Sequence, residues 1–483
     1  MPRIAIVGAG IAGLNAALTL HDAGLSCSIY EAASHIGGRM HSDAATWGGG
    51  MVAELCGEFI DRDHVTIHAL IKRFGLKTVD LEHKGVRQRQ NITYLFNHYC
   101  GAEEIGEAFQ AITPILRQQV AEAPFPTTYD AHTETAYHLD QLSVYEWIER
   151  YVPGGHQSPA GRLLDTGCTG FYGMRAEEQS ALNLVYMYGP RVSESSSGRS
   201  GPFQGTVRIK GGNQLLPLAI ARSLPQEQIH LQHQLVAIRR GQDNTITLSF
   251  TTPRGPLDVT CEHAILALPF STLRHVDYSQ AGFDALKQAA ITQLGYGTIS
   301  KLFLQFDTRY WNQDGPWPGP HSGFVITDLA IQVLWDGSLG QMGPYGLLVD
   351  YMGGSFGADF SPPAPYTTTH DSELIEQYAQ RSLEQIEHVF PGIRAHYTGT
   401  AALSYPTGDP NLRGSYSCWG VGQYTRFAGY ERVRQGPIHF AGEHCSVEAQ
   451  GYMEGAAREG ARAAREILED IAPSRRAHVW RRC

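Results

Sequence analysis

The first forty residues constrain the chain most. Ile4–Val7 reads as a buried strand and Ile11–Ala23 as a helix, and between and into them Gly8, Gly10 and Gly13 space out G-x-G-x-x-G. Cys27–Tyr30 makes a second strand that ends on Glu31. In such a unit the first glycine makes the tight turn, the second lets backbone approach a pyrophosphate, and the third permits close helix–strand packing. The helix N-terminus offers unpaired N–H groups to the anion, and an acid about twenty residues on can hold a ribose diol. Strand, helix, strand and acid in this order predict a Rossmann-like dinucleotide site. The alternative is a glycine-rich turn with no ligand.

The segment after Glu31 narrows the dinucleotide. Gly37 and Gly38 form a second close-approach pair, and Arg39 brings a guanidinium that can fork onto phosphate. The run Glu31–Arg39 resembles the FAD fingerprint of the flavin amine oxidase superfamily, which includes monoamine, polyamine and L-amino-acid oxidases. Nicotinamide-dependent dehydrogenases generally lack that Gly-Gly-Arg. The resemblance implies FAD and a two-domain α/β fold. Its parts are a Rossmann-like FAD-binding domain of the glutathione-reductase type and a substrate domain of mixed sheet and helices. The similarity runs nearly the full length, through Glu54–Asp61, Tyr172–Gly173, Glu178–Leu182 and Lys210–Gln214. It is nearest to bacterial members grouped with L-amino-acid oxidases.

A chain of 483 residues has room for roughly three domain-sized units. Its net charge of -10 gives no support for nucleic-acid binding, which favours a basic patch. No leader of the secretory type opens the sequence, and no apolar run approaches the ~20 residues of a membrane span. The eight cysteines follow no metal or disulfide spacing, which favours reduced thiols and a cytoplasmic setting. The expected partners are a small-molecule amine or L-amino acid and O2, with no nucleic acid and no membrane, in a homodimer.

Cofactor signals come in three separated blocks, so the FAD domain is expected to be discontinuous, over 1–58, 205–270 and 425–472. A mainly helical insertion is expected over 59–204, a sheet-containing substrate domain over 271–424 and a frayed tail over 473–483. In the insertion, Asp61 is placed to cap a helix ending near Phe74, and Val144–Tyr151 and Glu177–Tyr188 have helical spacing. Ser193–Gly201 reads as a polar loop. In the second block Leu215–Ser223 reads as a helix, and Thr245–Phe250 pairs with Leu257–Val259 as a hairpin. Lys301–Phe306 and Gly346–Tyr351 read as strands. Gly353–Gly357 satisfies G-x-S-x-G, but a hydrolase elbow needs a helix directly afterwards. Pro362 and Pro363 argue for a plain turn.

The third block carries Phe440–Ser446 and Gln450–Ala456, followed by a small-residue helix to about Ile471. That helix N-terminus can face the electron-rich pyrimidine edge of a flavin. The resemblance puts Glu443 on the ribityl–phosphate part and Met453 by the ring through its backbone. The cofactor-binding set is therefore Gly8, Gly10, Gly13, Glu31, Gly37, Gly38, Arg39, Gly57, Glu58, Val236, Gly442, Glu443, Gly451 and Met453. His444 and Cys445 have no third ligand at usable spacing, and no metal site is expected.

Flavin carries the chemistry in such proteins and the chain supplies position and electrostatics. By resemblance Tyr452 and Trp419 are the facing walls of an aromatic cage that holds the amine, core packing being the alternative for Trp419. Lys301 resembles the family lysine that holds a water near flavin N5 and favours reoxidation by O2, against an exposed strand lysine. These three are the expected catalytic residues. Cys418 stands where monoamine oxidases carry a thioether to the flavin; a non-covalent flavin and an ordinary packed thiol are expected here. Phe59 stands where several L-amino-acid oxidases carry an arginine for the substrate carboxylate. Either another group grips that carboxylate or the substrate has none. Glu58 then meets a cationic substrate end, lies exposed to solvent or makes structural hydrogen bonds. The leading expectation is oxidative deamination of an L-amino acid to a 2-oxo acid, ammonia and H2O2. The alternative is a monoamine or polyamine oxidase giving an aldehyde, and a remote one is a non-enzymatic carrier of the same fold.

Overall fold

The computed structural model describes residues 2–81, 90–193, 207–318 and 321–479. Strand β1 (Ile4–Val7) is buried at all four positions and runs through Gly8 into α1 (Ile11–Asp22). With β2 (Ser28–Tyr30), β3 (Ile229–His230), β4 (His263–Leu266) and β5 (Ile438–Phe440) it builds a five-stranded sheet in the order β5-β4-β1-β2-β3. Every pair is parallel. A parallel sheet is covered on both faces, which is why Ile4–Val7 and Ala264–Leu266 are unbroken apolar runs.

One cover is α2 (Met453–Val479), which packs on α1. Both sides of α1 touch backbone. A Cβ at Gly13 would lie 1.9 Å from the Gly8 carbonyl oxygen, and one at Gly460 would lie 2.0 Å from that of Ala12. Helix α2 continues past Ile471 to Val479; residues 480–483 of the expected tail lie outside the described residues.

Beside this sheet, Gln234–Arg240, Ile246–Thr252 and Gly255–Cys261 form an antiparallel ladder, turning at Pro253 and Arg254. Its register skips from Leu235 to Ala237, so Val236 is the bulged residue. An eight-stranded mixed sheet forms the other half of the molecule, and Lys301 sits in its fully buried strand Ser300–Phe306. One face packs on helix Glu373–Val389 and the other on Trp47, Leu55 and Phe171.

Helix Val144–Tyr151 forms where its spacing predicts, with a reciprocal Ser143–Glu146 capping box. Two helices start later than expected. Val65–Arg73 begins after His64, without a side-chain cap from Asp61. Ala181–Ser193 begins four residues beyond Glu177, because Gln179 and Ser180 form backbone bridges to Gly420 and Ser143. The polar loop read after Ser193 lies outside the described residues. The Gly353–Gly357 motif is also corrected: a five-residue helix, Gly354–Ala358, forms there instead of a turn, and Ser355 is exposed on it. Among the described residues no helix is long and apolar enough to cross a membrane.

The contact at Gly460 is testable. Gly460→Ala should force α1 and α2 apart and destabilise by about 1–3 kcal/mol. Urea unfolding should show a lower midpoint at unchanged slope; an unmoved midpoint would contradict this packing.

Candidate active site

The C-terminal ends of β1, β2 and β4 open onto a cavity of about 670 Å³, the place where an open α/β sheet binds ligands. Backbone forms this edge. A Cβ at Gly8 would lie 2.6 Å from the Ala267 carbonyl oxygen, whereas one at Gly10 would meet nothing within 4 Å. Gly10 therefore leaves room for a ligand against the main chain. It caps α1 without a side chain, and the first-turn residues Ile11 and Ala12 line the cavity. Their end of the helix dipole favours an anion. Gly13 does not line the cavity and acts through packing. Gly37 donates its N–H to the Ala9 carbonyl at 3.0 Å, and a Cβ on Gly38 would lie 3.4 Å from the Gly10 Cα. The second glycine pair thus lies on the first.

Glu31 accepts the Ala9 and Ala33 N–H groups at 2.7 and 2.8 Å. Burial raises its pKa against the pull of those two amides. Val236, on its bulge, lines the same end with an exposed side chain. The bulge leaves its backbone outside the antiparallel register.

Arg39, read as a phosphate fork, has Nη1 committed elsewhere. It donates to Glu443 Oε1 at 2.7 Å and to the Ser415 carbonyl at 2.9 Å. Glu443 also accepts from Ser417 N, Ser417 Oγ and Gly451 N, at 3.1, 2.6 and 2.9 Å. Burial alone would raise the Glu443 pKa; the Arg39 charge foremost, with the Ser417 hydroxyl, outweighs it and holds the carboxyl below its usual range. Gly442 and Glu443 line the cavity with Gly451 and Met453. Gly57 packs on Met453, where a Cβ would lie 3.1 Å from Sδ.

Glu58 is buried and takes three donors, Arg208 Nη1 at 2.9 Å, Lys301 Nζ at 3.3 Å and Trp335 Nε1 at 3.2 Å. Its burial sets aside the solvent-exposed reading, and it makes a structural network while also lining the cavity. Lys301 is buried, and its Nζ also donates to the Glu54 and Cys56 carbonyls at 3.0 and 2.7 Å. Arg208 escaped the sequence reading. The available signal was a lone charge between Val207 and Ile209 in a strand where its neighbours are apolar.

Aromatic side chains surround the far part of the cavity. Tyr452 stands edge-on to His64, with ring centres 5.2 Å apart. Tyr416 packs beside Gly451, where a Cβ would lie 3.5 Å from its ring. The Tyr416 and Tyr351 hydroxyls are 2.8 Å apart, and Tyr452 is an electrostatic neighbour of both. Burial pushes the pKa of both Tyr351 and Tyr416 up, so they stay neutral. Tyr416 was overlooked although it lies in the Gly414–Trp419 segment. Trp419 lines the cavity too, but its ring packs on Tyr424 and Phe427, with centres 5.1 and 5.9 Å away.

The Cys418 thiol faces Asn183 Nδ2 at 3.5 Å, and Cys418 does not line the cavity. Phe59 does, with its ring 5.5 Å from that of Trp335. Among the described lining residues the guanidinium groups are those of Arg39, paired with Glu443, and Arg413, an electrostatic neighbour of His275.

The family model described as flavin containing amine oxidoreductase matches residues 11–468. The chain belongs to that family. Curated relatives of this amine oxidoreductase include an L-amino-acid oxidase of Demansia vestigiata, 23% identical over 96% of this chain and 86% of the relative. A putrescine oxidase of Kocuria rosea is 24% identical over 96% of this chain and 95% of the relative. Among solved structures, cyclohexylamine oxidase from Brevibacterium oxydans superposes with a TM-score of 0.80 at 19% identity, over 98% and 99% of the two chains. Family membership implies FAD. The open face at Gly10, the uncapped amides of α1 and the acid at the end of β2 suit its pyrophosphate and ribose.

The Arg39–Glu443 pair joins the first and third blocks at this site, and Glu443→Gln leaves the guanidinium without its counter-charge. Breaking a buried pair in this way should cost on the order of 3 kcal/mol at pH 7 in urea titration. Because the Glu443 pKa lies below its unfolded value, its contribution is present above roughly pH 4.3 and is lost as pH falls through the folded value. The acid loss of stability should therefore be shallower in the variant. Parallel profiles would contradict the assignment.

Proposed function

We propose that the protein carries out FAD-dependent oxidative deamination of a primary amine with a flat or apolar substituent and no carboxylate, giving an aldehyde or ketone, ammonia and H2O2. The observation that carries this reading is Phe59 packed on Trp335 in the cavity wall, with the lining Arg39 paired to Glu443. FAD, when bound, supplies the two-electron acceptor and passes the electrons on to O2. The chain's part is placement. Tyr452 and Tyr416 are assigned as the aromatic walls that hold the amine and exclude water, with Trp419 extending the apolar lining. Lys301, held by two carbonyls and Glu58, is assigned to the reoxidation side. A non-covalent flavin agrees with Cys418 facing Asn183.

Oxidation of an L-amino acid is the second reading, favoured by the likeness to L-amino-acid oxidases over 96% of the chain. It requires a carboxylate partner other than the paired Arg39, and Arg413 is the other guanidinium among the described lining residues. Peroxide release in air, across mono- and polyamines and the L- and D-amino acids, separates the two. Turnover of amines alone is expected. Turnover of L-amino acids alone would replace the first reading with the second, and silence from a yellow protein on every substrate would overturn both.

Lys301→Met tests the other assignment. Reoxidation by O2 in stopped flow should slow roughly tenfold or more, while anaerobic reduction by substrate changes less. Equal effects on both half-reactions would return Lys301 to a structural role.

A further inference from the structure

At the end of the parallel sheet remote from the cavity, two imidazoles each hold a buried ring nitrogen with nothing to bond. His439, in β5, is fully buried, and its Nε2 has no hydrogen-bond partner. His263 opens the adjacent strand β4, and its Nδ1 is likewise buried and unpartnered. The two rings lie 5.9 Å apart and 39° from parallel. Asp470, on α2, brings a carboxylate oxygen to the same point: one ligand atom from each of the three residues lies within 4.8 Å of the others. An unpaired buried nitrogen is costly, and two of them on residues clustered with one carboxylate mark a ligand-holding arrangement.

The surroundings favour a cation over a water. His439 Nδ1 lies 2.7 Å from Glu466 Oε2. That bond fixes the ring so that Nε2 presents its lone pair, as outer carboxylates do behind zinc-bound histidines. Arg434 pairs with Asp470 Oδ2 at 2.5 Å from a half-exposed position and leaves the second oxygen. A zinc ion binds nitrogen and oxygen ligands at ~2.0–2.2 Å, which sets tetrahedral neighbours roughly 3.3 Å apart. Side-chain rotation at exposed Asp470 and half-buried His263 covers that contraction.

We propose that His263, His439 and Asp470 form a structural binding site for a divalent transition metal, with zinc as the matching ion and water completing its shell. The ion would tie β4 and β5 to the last turns of α2. Neither the amine oxidation nor its substrate depends on it.

The test is equilibrium dialysis of the flavin-loaded full chain against Zn2+, with metal content and thermal midpoint as readouts. One zinc per chain is expected, with a midpoint that rises with Zn2+. His263→Gln should abolish stoichiometric binding and the rise. Glu466→Gln, which leaves all three ligands in place, should weaken binding about 10–100-fold. Buried His439 is left unchanged because its replacement endangers folding. His98, Cys100 and Glu104 form a second, more exposed group of similar spacing, so His98→Gln is the control. Absence of stoichiometric zinc in the wild type would overturn the site. Binding unaffected by His263→Gln, or lost in His98→Gln instead, would also overturn it.

Discussion

Helix α1 is pinned by backbone on two sides. Gly13 brings it onto the Gly8 carbonyl and Gly460 brings α2 onto the Ala12 carbonyl, each at a distance that a single methyl group would destroy. Side chains cannot set a helix this close to a strand turn, because even alanine would hold the elements apart. The consequence is electrostatic as well as steric. With α1 seated so deeply, its uncapped first turn faces the mouth of the sheet, and the Gly10 face stays open beside it. The dinucleotide cradle is what close packing of helix on strand leaves behind.

From that cradle the remaining site follows by cross-linking distant stretches of chain. Arg39 comes from the first block, Glu443 and Gly451 from the third, and Ser417 from the segment that leads out of the large sheet. One buried carboxylate gathers all of them. Glu58 does the same on the other side, joining the first block to Arg208, Lys301 and Trp335. Two buried acids thus hold the aromatic chamber against the nucleotide end, and each is satisfied by cations and hydrogen bonds as burial requires.

Much of this was legible in the sequence where local chemistry decides the outcome. The β1–α1–β2 unit, the helices Val144–Tyr151 and Leu215–Ser223 and the hairpin after Ile246 are all fixed by neighbours within a few residues. Reading failed where a distant partner decides. Glu177 and Glu178 look like a helix start, but Gln179 and Ser180 are drawn out by backbone bridges to other segments. The partners of Glu58 lie 150, 243 and 277 residues away, so no window on the sequence contains them. Tyr416 and Trp419 sit three residues apart in one motif. Only the packing of Gly451 on one ring, and of Tyr424 and Phe427 on the other, tells them apart.

The same logic bears on what the chamber selects. A carboxylate buried against aromatic walls needs a charged partner or several donors, since an unpaired anion costs far more to bury than its contacts return. An arginine at position 59 would supply one. Phe59 instead adds apolar area against Trp335, and an aromatic surface favours a neutral, flat group in contact with it. Arg39 Nη1 could compensate only by abandoning Glu443, which would unpair a buried acid at the centre of the network that positions Gly451. On the amine reading proposed above, carboxylate binding and scaffold stability are coupled through one guanidinium. A gain of carboxylate binding through Arg39 would loosen the cofactor end of the site, whereas exclusion of carboxylates leaves both intact.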